Sequence, residues 1–173
     1  MKKLNPKCLW LLADAGLAFV MILIDQLSKN AAIEHLKNKS AFVLIKGVFE
    51  LDYVENRGSA FGMFQNQKVF LLLISILFMV LIAFLLFKTP NTGKYLPIHV
   101  VGTMIVAGGI GNMLDRFRLG YVVDFFSFIL IHYPVFNVAD IYIVVSTITL
   151  AVLLIFFYKE EDLRFLGSQK EQK

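Results

Sequence analysis

Two aspartates late in the chain, Asp124 in Val-Val-Asp-Phe and Asp140 in Phe-Asn-Val-Ala-Asp, stand sixteen residues apart across one short loop. At that spacing they can face each other. Two carboxylates within hydrogen-bond reach do not both ionise easily, so one keeps a proton and the pair titrates as a unit. The ionised partner can take a proton from water as that water attacks a peptide carbonyl. The protonated partner can donate to the carbonyl oxygen or the leaving amine. Each aspartate alone is equally well an interfacial carboxylate, and Asp140 one that serves a helix N-terminus. As a pair they could instead hold Mg²⁺, and that alternative stays open at this point. No nucleophilic constellation competes, because neither Ser28 nor Ser127 has a histidine placed to activate it. Cys8 is the only cysteine, which excludes an intramolecular disulfide, and no thiol-ligated metal site is visible. His35, His99 and His132 show no zinc spacing. No metal and no cofactor are expected.

The elements that must position such a pair belong to a membrane protein. The 173 residues are 58% hydrophobic and only 17% charged, with 17 Phe. Soluble domains carry about 25% charged residues. One domain covering 1–173 is expected, built on four apolar stretches near the length of about 20 residues that crosses a bilayer. These are approximately 8–27, 69–87, 97–114 and 138–158, leaving 28–68 and 115–137 as outer segments. The first has a basic start but an apolar region longer than the about 7–15 residues of a cleaved signal peptide, so it reads as a retained span. Around the turn signal Lys46-Gly47, the run Phe42 to Ile45 and the alternation of Phe49, Leu51 and Tyr53 with Glu50 and Asp52 predict a small amphipathic hairpin over 42–55. A two-stranded sheet is marginal alone, so it should rest on the membrane or on the helices. The fold class is thus membrane α-helical, with four transmembrane helices and a small extracytoplasmic amphipathic β-hairpin or sheet. The last stretch, 167–173, is expected to fray.

The charge of +4 reads as basic residues flanking spans and meeting lipid headgroups. No basic cluster with interleaved aromatics argues for nucleic acid. Four spans put both termini on one side. The basic residues split almost evenly between the two sides, but Lys2, Lys3 and Lys7 crowd the first tail. Because the first helix usually dominates, both ends are expected in the cytoplasm.

Polar residues inside spans are costly, an ionisable one by about 2.5–3.5 kcal/mol at the helix centre and less near an end. In this chain they collect at the ends that an up-down bundle brings to one membrane face. Asp25 and Lys29 close the first span, Asn112, Asp115 and Arg116 close the third, Asp124 follows, and Asn137 and Asp140 open the fourth. Asp25 and Lys29 share a helical face and can pair, which is equally a plain interfacial salt bridge with a snorkelling lysine. Asn112, Asp115 and Arg116 also share a face and could be a purely structural cluster. Gly108, Gly109 and Gly111 suit close helix packing near the site. They are not a phosphate loop, since no strand precedes them and no lysine-serine sequel follows.

Five short motifs in order complete the reading: Asp-Gln-Leu-Ser-Lys at 25–29, Asn-Arg-Gly-Ser-Ala-Phe-Gly at 56–62, Gly-Asn-Met-Leu-Asp-Arg at 111–116, Val-Val-Asp-Phe at 122–125 and Phe-Asn-Val-Ala-Asp at 136–140. Singly they are unspecific. As an ordered set on a four-span frame, the chain resembles the bacterial lipoprotein signal peptidases (signal peptidase II). The Gly-x-Gly-Asp signature of presenilin-type proteases is absent. The resemblance implies an aspartic endopeptidase of the bacterial inner membrane, its site toward the extracytoplasmic face; membrane lipids are expected around it, and a monomer is expected. It would cut diacylglyceryl-modified prolipoproteins just before the lipidated cysteine. It implies Asp124 and Asp140 as the catalytic dyad, Asn56, Gly108, Asn112, Arg116 and Asn137 lining the site, and Asp25, Lys29 and Asp115 in support. Ile141 departs from the small hydroxyl residue that often follows the second aspartate, without touching a catalytic role. Two other classes remain as comparisons. A proton-coupled transporter would place its carboxylates near the bilayer midplane. A non-enzymatic assembly subunit would tolerate Asp→Asn changes at both positions.

Overall fold

The structure, a computed structural model, describes residues 5–58 and 67–167. Residues 59–62 of the second motif, the lysines at 2, 3, 170 and 173, and most of the tail expected to fray lie outside the described residues. In chain order the elements are α1 (Pro6–Leu36), β1 (Phe42–Ile45), β2 (Phe49–Asn56), α2 (Lys68–Lys88), a 3-10 turn at Gly93–Tyr95, α3 (Leu96–Arg118), β3 (Val122–Phe128) and α4 (Val138–Val152). A π-helical turn, Leu153–Phe157, continues α4, and a 3-10 segment, Glu160–Leu166, follows. All four helical stretches are long and apolar enough to cross a membrane.

Each helix follows from its sequence. α1 starts where the Asn5 side chain accepts a hydrogen bond from the Lys7 backbone N–H at 3.0 Å, with Pro6 in the first turn. α2 has no charged residue between its terminal lysines, and Val69, Leu73 and Leu77 stay more than 60% exposed. Such faces suit lipid rather than water. α3 is the central helix: it packs against α1, α2 and α4 and buries a polar series including His99, Thr103, Asn112 and Asp115. Toward the end away from the aspartates, His99 Nδ1 meets Asp14 Oδ2 at 2.8 Å and ties α3 to α1.

The first helix is longer than the expected span. It continues past residue 27 to Leu36, 31 residues in all. At 1.5 Å per residue this is about 46 Å, well beyond a hydrocarbon core of about 30 Å. The extra turns are held by packing: Ala32 is buried with Val123 and Phe125, and Ile33 and Leu36 lie against them. Burying a Val or Phe side chain contributes about 1.5–3 kcal/mol, enough to keep a helix going where hydropathy alone stops.

The expected hairpin forms, with Gly47 at φ +74 in its turn and Phe42 opposite Leu51. It is two-thirds of a three-stranded antiparallel sheet in the order β1-β2-β3, with Val54 opposite Asp124 and Asn56 opposite Val122. The third strand was not expected in the outer segment 115–137. Val122 to Phe125 are all buried, and a strand covered on both faces shows no alternation to read.

Candidate active site

Lys29 is the hub beneath the site. It is 1% exposed, and its ammonium reaches Asp25 Oδ2 at 3.0 Å, Asp115 Oδ2 at 3.0 Å and Asn112 Oδ1 at 2.8 Å. Its three N–H donors therefore have three acceptors. The snorkelling alternative is corrected here: the lysine points into the bundle because two buried carboxylates need its charge. Each of those carboxylates also grips the backbone beside a candidate catalytic residue. Asp115 Oδ2 accepts the Val123 N–H at 3.1 Å, one residue before Asp124. Asp25 Oδ1 accepts the Ala139 N–H at 3.0 Å, one residue before Asp140.

Asn137 carries the next layer. It caps α4, accepting the Asp140 N–H on Oδ1 at 3.0 Å, while Asp140 Oδ2 accepts the Asn137 N–H at 3.2 Å. This capping box fixes the Asp140 carboxylate at the entry of α4, so its role at the helix end and its place in the site coincide. The Asn137 amide nitrogen donates to Asp124 Oδ1 at 2.6 Å and to Asn112 Oδ1 at 3.1 Å. The Asn112 amide donates to Asp140 Oδ1 at 2.8 Å, and the Asn56 amide to Asp124 Oδ2 at 2.9 Å. The two aspartates are thus joined through asparagines from both sides. All four of their oxygens receive N–H groups.

Asp124 and Asp140 line one cavity of about 670 Å³ with Asn56, Asn112 and Arg116. Arg116 donates to the Gly58 carbonyl at 2.9 Å and to that of Asn112 at 3.4 Å. Asp124 sits outside the spans on β3 and is 2% exposed. Burial, and then the neighbouring charge of Asp140, push its carboxyl up to about 7. On the rim, Glu55 joins Lys37 at 3.1 Å and Arg57 at 3.0 Å, and the bond from Lys37 holds its carboxyl below the usual range.

Two residues expected to line the site lie behind it. Asn137 is 0% exposed, bridging under the cavity. Gly108 packs where α3 crosses α4: a Cβ there would stand 2.5 Å from the Ala139 carbonyl oxygen. Gly111 is equally constrained, since a Cβ would run into Asp25 Oδ2. Gly111→Ala is therefore expected to displace Asp25 at a cost of about 1–3 kcal/mol, read as a lower unfolding temperature in detergent. A wild-type temperature would show that Asp25 has room to move.

Gln26 was missed. Its amide nitrogen lies 3.1 Å from Asp25 Oδ2, 3.0 Å from Asp115 Oδ1 and 3.2 Å from the Gly111 carbonyl, so it closes the carboxylate pair from the other side. Its place beside Asp25 in the first motif was the available signal. The transporter alternative needs carboxylates at mid-bundle, whereas Asp124 lies on the sheet and Asp140 in the first turn of α4.

Two buried carboxylates bordering one cavity at one end of a four-helix membrane bundle fit the class of membrane-embedded aspartic proteases. Comparison with known proteins agrees. The family model for signal peptidase II matches residues 17–157. The lipoprotein signal peptidase of Caldanaerobacter subterraneus subsp. tengcongensis is 44% identical over 140 residues, covering 80% of this chain and 92% of that one. That of Clostridioides difficile is 40% identical over 142 residues, covering 80% and 91%. The chain belongs to the signal peptidase II family. Among solved structures, a bacterial membrane enzyme determined in meso at 2.3 Å superposes with a TM-score of 0.72 at 22% identity, over 93% of each chain. A second, at 1.9 Å, gives 0.70 at 23% identity over 84% of this chain and 94% of that one. Both likenesses concern the fold.

Proposed function

We propose that this protein removes signal peptides from diacylglyceryl-modified prolipoproteins, cleaving just before the lipidated cysteine with Asp124 and Asp140 as the dyad. The carrying observation is that the two carboxylates, delivered by β3 and α4, border one cavity and share asparagine donors. Near neutral pH the pair holds one proton. Its ionised member takes a proton from water as the oxygen adds to the scissile carbonyl, and its protonated member donates to the carbonyl oxygen. Proton return to the amine completes cleavage. Asn56 and Asn112 fix the carboxylate orientations, and Arg116 borders the place where the oxyanion develops.

In this reading the protein works as a monomer in the bacterial inner membrane. Both termini are cytoplasmic and the sheet is outside, so a cysteine lipidated in the bilayer brings its scissile bond to the level of the site. Purified protein in detergent should convert a diacylglyceryl-modified prolipoprotein, and mass spectrometry should place the cut immediately before the modified cysteine. Intact lipidated substrate after incubation with folded protein would remove the reading.

The pH dependence has a definite sign. An aspartic pair needs one proton for its general acid, and that proton is lost as pH rises through the raised Asp124 value of about 7. Above it, kcat/KM is expected to fall about tenfold per pH unit. A profile flat from pH 7 to 9 would contradict a proton held at Asp124.

A further inference from the structure

We propose that His132 is a substrate-contacting residue whose imidazole N–H donates to a carbonyl oxygen of the substrate at the cavity rim; this rests on the function proposed above. His132 lines the cavity that contains Asp124 and Asp140, and with Arg57 and Tyr133 it belongs to the exposed part of the lining. The other ionisable carboxylate and guanidinium groups of the lining are engaged. Arg57 and Glu55 hold each other, Arg116 donates to two carbonyls, and both aspartates are taken by asparagines. Among the described residues, the His132 ring has no such partner.

The backbone under that ring is unusual. His132 is at φ +49, in the left-handed region that few side chains adopt. It is held there by its own N–H bonding to the Ile129 carbonyl at 3.1 Å and by the Tyr133 N–H bonding to that of Phe128 at 3.2 Å. Beyond the turn, Phe136 pairs with Phe126 through two bonds, at 2.8 and 3.0 Å. The rim is therefore clamped at both ends. The turn is otherwise apolar, with Leu130 and Ile131 each 66% exposed. A strained residue in an apolar turn, presenting a polar ring to the dyad's cavity, is the pattern of a positioned contact.

The ring suits a carbonyl acceptor. An extended peptide that enters the cavity gives up part of its hydration and must find donors for its carbonyls, and the asparagine amides on the floor are already committed to the dyad. An anion would instead have to approach two aspartates. The same acceptor chemistry exists in the peptide backbone and in the ester groups of the diacylglyceryl chain.

The test uses two substitutions that tolerate a left-handed backbone. His132→Gly removes the ring while leaving the turn free to keep its shape, and His132→Asn keeps a donor. Losing one such bond should raise KM about five- to tenfold with kcat little changed, and asparagine should restore part of the loss. If both variants match wild-type KM, histidine serves only the backbone and the proposal falls. A loss confined to kcat overturns it as well. A wild-type protein that cleaves no lipidated substrate overturns the proposed function and, with it, this contact; cleavage by wild type and glycine variant alike overturns the contact alone. An ether-linked lipid substrate separates the two sources. A glycine deficit that vanishes with it assigns the ester carbonyl, and one that persists assigns the peptide.

Discussion

Asp124→Asn and Asp140→Asn are each expected to lower turnover of a lipidated prolipoprotein by at least about 10³-fold, within the range of 10²–10⁴ typical of a lost general acid or base. The reason is the chemistry of the pair. An amide can neither accept the proton of the attacking water nor supply one to the carbonyl oxygen. The fold should tolerate both changes. Asparagine at 140 still offers one oxygen to the Asn137 N–H, and asparagine at 124 still accepts one of the two amides that reach it. Each variant forfeits about one hydrogen bond, on the order of 1 kcal/mol. The check is a single-turnover assay beside a thermal unfolding curve. Retained cleavage in either variant would remove that aspartate from the dyad, whereas lost cleavage with a collapsed fold would mean the aspartates matter structurally.

The second large effect concerns stability. Lys29→Met is expected to cost about 3–5 kcal/mol, the usual penalty for removing one partner of a buried ion pair. Two carboxylates, Asp25 at 0% and Asp115 at 3% exposure, would lose their shared cation. The triple variant in which Asp25 and Asp115 are also asparagines should regain part of that loss. Its amide oxygens can still accept the Ala139 and Val123 N–H groups, and no unpaired charge remains. Lys29→Arg should not substitute, because a planar fork cannot direct donors to three converging oxygens as an ammonium does. Chemical or thermal unfolding in one detergent measures all three. An unchanged stability for Lys29→Met would mean that water reaches the carboxylates.

What could be read beforehand followed from the cost of charge in a bilayer. Asp25, Lys29, Asn112, Asp115, Asp124, Asn137 and Asp140 stood out because apolar spans do not carry such groups idly, and the structure gathers all of them. The hairpin was legible because β2 alternates and Gly47 marks its turn. β3 was not, because Val122 to Phe125 are covered on both faces and carry no period. The extension of α1 was not, because its last turns are held by Ala32 against Val123 and Phe125, a contact between residues about ninety positions apart. The resemblance implied only that Asn137 lines the site; its bridging position beneath the cavity came from the structure. His132 and Gln26 were given no role because neither a turn histidine nor a glutamine at a span end is unusual until its neighbours are known.

The capping box that sets Asp140 also has a consequence in time. Asn137 and Asp140 open α4, and their side-chain partners Asn112 and Asp124 come from α3 and β3, earlier in the chain. A ribosome-bound intermediate with three helices inserted lacks half of the dyad and the asparagine that joins its members. On the proposed function, hydrolytic competence therefore arrives only with α4, so a chain with three helices inserted cannot yet cut other proteins.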